Sequence, residues 1–205
     1  MRRNLLALAL LLAATTAAAR AEATYRAALV VEPRTWTVLY SRDPHIQLPT
    51  ASMIKMLNAL VAMDAIERGE VTWDTPIRAT RESALVEGSQ VYLEEGEVFA
   101  VRDLMKAMLV KSANDAADAL AVGMGGSREA YVQRMRDKAR ALGLADTIVF
   151  TPHGLPTSDT GLPEDKSSPA DLAHMGAEVL RYPELRVLVS TRLAPFRHGE
   201  FELFN

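Results

Sequence analysis

Two short clusters in this sequence carry residue types that could do chemistry. Ser52-Met53-Ile54-Lys55 sets a hydroxyl and an amine three residues apart. Three residues is nearly one helical turn, so both side chains project from one helix face. A serine hydroxyl is a poor nucleophile until a base takes its proton. A lysine desolvated in a pocket can have its pKa lowered enough to be that base. Ser52 falls at the start of an expected helix, where free backbone N–H groups and the positive dipole end favour developing negative charge. Ser112-Ala113-Asn114 is the second cluster. Its hydroxyl could relay a proton between Lys55 and a leaving group, and its amide offers a donor and an acceptor to a peptide-like substrate. Each cluster has a plainer reading. Ser52 could be a helix N-cap beside an unrelated lysine, and Ser112 or Asn114 could cap the following helix. The weight comes from the two together, in their order and context.

The elements that must position these residues are legible in outline. Residues 27–32 and 36–41 read as strands of a hairpin around Pro33-Arg34-Thr35. A long helix follows Pro49-Thr50-Ala51 and stops at Gly69, with Met53, Met56, Leu57, Leu60, Val61 and Ile66 facing a core. Residues 71–98 read as turns and short extended pieces punctuated by Gly88 and Gly96. Residues 101–110 form a helix with Leu104, Met105, Met108 and Leu109 on its apolar side. Further helices are expected from Asn114 to Gly123, over 128–142, from Ser168-Pro169, and from Pro183-Glu184. Residues 151–168 read as loop, and 196–204 as a weakly alternating strand. The methionines fall at core spacing and read as packing. With no repeat and no interior linker, the pattern is one α+β domain with a mostly helical middle.

Composition removes several classes of function. The 205 residues are 49% hydrophobic and 24% charged, which excludes a disordered, collagen-like or coiled-coil chain. A net charge of -3 gives no footprint for nucleic acid. The lack of cysteine excludes thiolate nucleophiles, disulfides and thiolate-bound metals. Of His45, His153, His174 and His198, only His174 with Glu178 has helical ligand spacing, and the fuller metalloprotease pattern is missing, so no metal and no cofactor is expected. His153 reads as a loop anchor or a site-lining residue. Asp159-Thr160-Gly161 echoes an aspartic-protease triplet, but its Thr, Ser and Pro neighbours make a turn rather than an apolar strand. Arg2 and Arg3, the apolar run 5–14 and Ala19-Arg20-Ala21 have the layout of a secretory signal peptide cut after Ala21. Residues 1–21 are therefore expected to be removed, leaving a domain over 22–205. A membrane anchor is the other reading of that segment, because alanines to Ala19 lengthen the apolar stretch.

Taken together, the clusters resemble the serine-type D-alanyl-D-alanine carboxypeptidases, the low-molecular-mass penicillin-binding proteins of the β-lactamase/transpeptidase-like superfamily. The resemblance is carried by Ala51-Ser52-Met53-Ile54-Lys55, by Asp103 through Ala117 around Lys111-Ser112-Ala113-Asn114-Asp115, by Pro152-His153-Gly154-Leu155 and by Ser167 through Ala173. It runs from about Ala27 to the end of the chain. It implies a transpeptidase-like α+β domain, with an N-terminal hairpin belonging to an antiparallel sheet and a helical region beside it. It also implies a bacterial periplasmic or envelope location and a role in cell-wall biogenesis and cell shape. By resemblance, Ser52 is the nucleophile toward a peptidoglycan stem peptide ending in D-Ala-D-Ala. Lys55 is its base, Ser112 a proton shuttle, Asn114 a substrate-amide ligand, and the Ser52 N–H half of an oxyanion hole. β-Lactams are the implied inhibitors; membrane association is left open.

The sequence departs from the family at one motif. None of the lysines at 55, 106, 111, 138 and 166 begins a Lys-Thr-Gly triplet. In relatives that triplet lies on a strand further toward the C-terminus. The chain is therefore expected to be the N-terminal part of its domain, lacking the C-terminal sheet strands. The other reading is a natural truncated homologue, a non-catalytic envelope protein that binds peptidoglycan or a partner. A true β-lactamase is disfavoured, since no Glu-x-x-Leu-Asn pattern follows Asn114 and Ala113 stands where class A enzymes have Asp.

Overall fold

A computed structural model describes residues 24–205, so the expected signal peptide lies outside the described residues. The N-terminal hairpin forms from β1 (Ala28–Glu32) and β2 (Thr37–Arg42), paired antiparallel with a register shift at Val30/Val31. Its turn is held by the Glu32 carboxylate, which accepts the Arg34 and Thr35 backbone N–H groups and the Thr35 hydroxyl. Then come β3 (Leu48–Pro49), a 3-10 turn Ala51–Ile54, α1 (Lys55–Glu67), β4 (Pro76–Arg78), α2 (Arg81–Ala84), β5 (Val98–Ala100) and α3 (Val101–Val110). They are followed by α4 (Asn114–Gly125), α5 (Arg128–Ala141), α6 (Thr157–Thr160), β6 (Lys166–Ser167), α7 (Pro169–Val179), α8 (Pro183–Ser190), β7 (Leu193–Phe196) and β8 (Phe201–Phe204). The strands pair antiparallel in twos: β1 with β2, β3 with β6, β4 with β5, and β7 with β8. The α+β class expected from the sequence is observed.

The core is built around α1. Leu57, Ala59, Leu60, Val61, Ala62, Met63 and Ala65 are all buried, so this helix is apolar on nearly every side rather than striped. It packs against α4, α5 and α7. The α4 run Ala116-Ala117 and Ala119-Leu120-Ala121 is buried, and its small side chains let α3 and α5 approach closely. Two helix starts follow from their caps: Ser127 accepts from Ala130 N, and Ser168 from Asp171 N with Pro169 at the first position. Among the described residues no helix is long and apolar enough to cross a membrane.

Several local expectations are corrected. Met53 is 48% exposed, because the chain from Ala51 to Ile54 is a 3-10 turn and the α-helical face begins only at Lys55. The helix from Asn114 runs past Gly123 to Gly125. The segment 151–168 contains the single turn α6 and the short strand β6. Residues 196–204 are not one strand: the chain reverses at Arg197–Gly199, and β8 returns along β7.

Candidate active site

Neither serine of the two clusters is used as a helix cap. The positions before the 3-10 turn and before α1 are Thr50 and Ile54, and neither makes a side-chain cap bond. The position before α4 is Ala113. Both hydroxyls are therefore free for the lysine between them. The Lys55 Nζ lies 3.0 Å from Ser52 Oγ, 2.8 Å from the Ser112 carbonyl oxygen, 3.1 Å from Ser112 Oγ and 2.6 Å from Asn114 Oδ1. Ser52, Lys55, Ser112 and Asn114, all singled out from sequence, thus meet at one nitrogen.

Burial sets the charge of that nitrogen. Lys55 is 3% exposed, and desolvation pushes its pKa down from 10.5 to about 7, opposed by the negative charge of Asp115. Four acceptor atoms surround an amine that has at most three protons. The Ser112 carbonyl can only accept. The Asn114 amide is oriented by its Nδ2, which donates to the Glu87 carbonyl at 2.7 Å, so its Oδ1 also only accepts. A neutral Lys55 gives its two N–H bonds to these two oxygens, and its lone pair is left facing the hydroxyls. That is the arrangement a general base for Ser52 requires.

The backbone around the amine is strained. Ser112 lies in the left-handed region at φ 60, and Ala51 at φ 45. Non-glycine residues adopt this region at a cost of order 1–3 kcal/mol and persist there only when their surroundings hold them. Ser112 is held by Lys55, which donates to its carbonyl and reaches its hydroxyl. Ala51 is held from the opposite side by Gly154, at φ +85. A Cβ on Gly154 would come within 1.9 Å of the Ala51 carbonyl oxygen and 2.4 Å of its carbon, so only glycine fits. Thr50 N also donates to the Asp165 carbonyl at 3.0 Å.

The loop bearing Gly154 is folded by buried polar groups. The Asp165 carboxylate accepts Phe150 N, Thr151 N and the Thr151 hydroxyl, and Thr151 Oγ1 accepts Gly154 N. Asn58, one helical turn after Lys55, donates to the carbonyls of Ala117 and Pro152 and accepts from the buried Tyr131 hydroxyl. His153 is 4% exposed, and burial drives its pKa down to about 4. Its Nδ1 accepts the Leu155 N–H, so the neutral ring carries its proton on Nε2. A cavity of about 420 Å³ opens beside it, lined by Leu85, Val86, Glu87, Thr151, His153 and Leu155 among others.

On the other side, the Asp115 carboxylate accepts Val91 N, Leu93 N and Ala116 N, and burial raises its pKa against those bonds. Asp118 receives the Arg128 guanidinium and the Ser83 hydroxyl, tying α4 to α5 and α2. Sequence reasoning gave no role to Asp115, Asn58, Asp165 or Gly154. Asn58 did leave a signal, as the one amide inside an apolar helix. Among the described residues no group of three or more His, Asp or Glu gathers as a metal site. His174 Nε2 lies 4.0 Å from Glu178 Oε1, and the edge of Trp36 meets the His174 ring.

Comparison with known proteins gives the family and the fold. A family model described as D-alanyl-D-alanine carboxypeptidase matches residues 13–202. The D-alanyl-D-alanine carboxypeptidase DacF of Bacillus subtilis is 34% identical over 81% of this chain and 41% of its own length. The chain spans about half the length of the curated relatives it matches, or less. Among solved structures, a D-alanyl-D-alanine carboxypeptidase from Mycobacterium tuberculosis superposes with a TM-score of 0.79 at 30% identity, covering 88% of this chain and 66% of that one. Penicillin-binding protein D2 of Listeria monocytogenes, in an ampicillin-bound form, superposes with a TM-score of 0.76 at 25% identity, covering 88% of this chain and 71% of that one. The fold is thus that of the transpeptidase-like penicillin-binding proteins, and the chain belongs to the D-alanyl-D-alanine carboxypeptidase family.

Proposed function

We propose that the protein is an exported serine-type D-Ala-D-Ala carboxypeptidase that trims peptidoglycan stem peptides through an acyl-enzyme on Ser52. The observation that carries this reading is the amine of Lys55, buried and 3.0 Å from Ser52 Oγ, with its N–H bonds directed to Ser112 O and Asn114 Oδ1. In the acylation step the Ser52 Oγ–C bond forms at the carbonyl between the two D-alanines as the hydroxyl proton passes to Lys55 Nζ. The peptide C–N bond then breaks, and the leaving amine takes a proton delivered from Lys55 through the Ser112 hydroxyl 3.1 Å away. In the second step water attacks the ester, passing a proton through the Ser112 hydroxyl to Lys55; the C–Oγ bond breaks, the acid leaves, and Lys55 returns the proton to Ser52 Oγ.

The exposed Ser52 side of the 3-10 turn leaves the hydroxyl accessible to substrate. Its N–H is one donor toward the developing oxyanion, and the Ala51 carbonyl clamped by Gly154 fixes the peptide that carries it. The same serine would be acylated by β-lactams, whose reactive amide imitates the D-Ala-D-Ala end. Export rests on the basic and apolar layout of residues 1–21, which would be removed to leave a domain beginning at residue 22, in the periplasm or cell envelope. The second reading is a non-catalytic envelope homologue that keeps the helical region for binding peptidoglycan or a partner. Labelling by a fluorescent penicillin decides between them. The full-length protein should be labelled covalently and Ser52→Ala should not; persistent labelling of that variant would remove Ser52 from its role.

A further inference from the structure

The geometry points to Arg197 as a positioning residue for the Lys55 site, acting through the backbone of residues 91–93 and the Asp115 carboxylate. This rests on the proposed roles of Ser52 and Lys55. Arg197 stands at the reversal between β7 and β8, where it and His198 both occupy the left-handed region, at φ 47 and 58. Its guanidinium lies over the rings of Phe99 and Phe196, at 5.6 and 5.5 Å from their centroids. From there its donors reach four acceptors: Nε to Glu97 Oε1 at 3.0 Å, Nη2 to Glu97 Oε2 at 2.7 Å and to the Tyr92 carbonyl at 2.6 Å, and Nη1 to the Val91 carbonyl at 2.5 Å. An ordinary ion-pair brace would use the carboxylate alone. Here two of the four hydrogen bonds go to main chain.

That main chain is held from both sides. The carbonyls of Val91 and Tyr92 accept from Arg197, while the N–H groups of Val91 and Leu93 donate to Asp115 at 3.0–3.2 Å. Tyr92 between them is itself left-handed, at φ 56. The Tyr92 C=O and the Leu93 N–H belong to one peptide unit, which thus lies in a chain of hydrogen bonds running from a cation to a carboxylate, and such bonds strengthen one another. Asp115 follows Asn114 directly, and Asn114 Oδ1 is 2.6 Å from Lys55 Nζ. The titratable groups facing Lys55 from the elements packed on it are Asp115 from α4 and the neutral His153 from the 151–155 loop. Fixing the amide donors on Asp115 therefore fixes how much negative charge Lys55 feels.

The test uses the full-length protein and two readouts. Arg197→Ala is expected to slow acylation by a fluorescent penicillin roughly tenfold or more, with Arg197→Lys in between. In an Asp115→Asn background the same change is expected to cost less than half as much on a logarithmic scale, since the group it acts through is gone. The second readout is the titration of Lys55 followed from its Cε resonance by NMR, which needs no acylation. With the 91 and 93 amides released, Asp115 presents more unbalanced charge, so the Lys55 midpoint is expected to move to higher pH in Arg197→Ala. Either an unmoved midpoint or equal costs in the two backgrounds overturns the inference, and Arg197 then merely braces the hairpin. A protein that no penicillin labels, but whose Lys55 midpoint moves, refutes the role of Ser52 and upholds that of Arg197. If Arg197→Ala folds poorly, Arg197→Lys carries both readouts.

Discussion

The proposed role of Lys55 as proton acceptor for Ser52 makes a quantitative prediction about pH. An ordinary lysine near 10.5 would be neutral in only about three molecules per ten thousand at pH 7. Burial of Lys55 brings its pKa to about 7, so half the molecules carry a free base at that pH. The gain in the competent form is on the order of a thousandfold, partly offset by the weaker basicity that a lower pKa implies. The second-order rate constant for acylation by benzylpenicillin should therefore rise through a single midpoint near 7. The neutral fraction is about 0.09 at pH 6 and about 0.91 at pH 8, so the rate should climb about tenfold between them and then level. His153, with a pKa of about 4, has finished titrating before this window opens. Asp115 raises the pKa of Lys55, so Asp115→Asn should draw the midpoint to lower pH. Stopped-flow acylation from pH 5.5 to 9.5 measures the profile. A flat rate between pH 6 and 8, or one still climbing tenfold per unit at pH 9.5, would refute the assignment of Lys55 as a desolvated base.

Two further outcomes are expected. Gly154→Ala drives a Cβ into the backbone of Ala51 and asks alanine for φ +85, so it should lower stability by about 2–4 kcal/mol and acylation about a hundredfold; urea unfolding and penicillin labelling at near-wild-type rates would contradict the clamp. Lys55→Met should change the pH dependence of stability. The folded-state pKa of Lys55 lies below its unfolded value, so its burial penalty is complete below about 7, where both states are charged, and fades as pH rises toward 10.5. Wild type should therefore gain about 3 kcal/mol on the variant between pH 7 and 9.5, and parallel denaturation curves at both pH values would count against the shift.

What the sequence disclosed and what it hid divide along a physical line. The spacing of Ser52 and Lys55 is local, and so is the Ser112-Ala113-Asn114 turn, so both clusters could be named before any fold was known. That they converge is tertiary: α1 must pass beside the start of α4, which the buried alanines Ala116, Ala117 and Ala121 allow. Met53 departs from the helical periodicity because the segment holding it, clamped between Gly154 and the left-handed Ala51, is a 3-10 turn. The β7–β8 reversal is not legible because Arg197 and His198 are not residues that announce a left-handed turn; Arg197 is held by contacts with residues about a hundred positions earlier. Asp115 stood in plain view beside Asn114, but its partners are backbone N–H groups, which leave no trace in residue identity.

Those backbone partners explain how irregular segments can position a site. The stretches 91–93, 146–147 and 150–154 have no apolar periodicity that could fold them onto the helices. Each is instead fixed by a buried aspartate. Asp115 takes Val91 N and Leu93 N, Asp171 takes Asp146 N and the Thr147 hydroxyl, and Asp165 takes Phe150 N, Thr151 N and the Thr151 hydroxyl. A carboxylate is suited to this because one group accepts several bonds, and an N–H to carboxylate bond is about twice as strong as a neutral one. The burial that makes Asp115 and Asp165 costly to ionise, raising both their pKa values, is opposed by those same amide bonds. Replacing any of the three by an apolar residue would strand two or more donors at about 1–3 kcal/mol each. The Ser52 turn and the Lys55 amine are therefore only as well placed as the loops these carboxylates hold, with Gly154 on one side of Ser52 and Asn114 on the other.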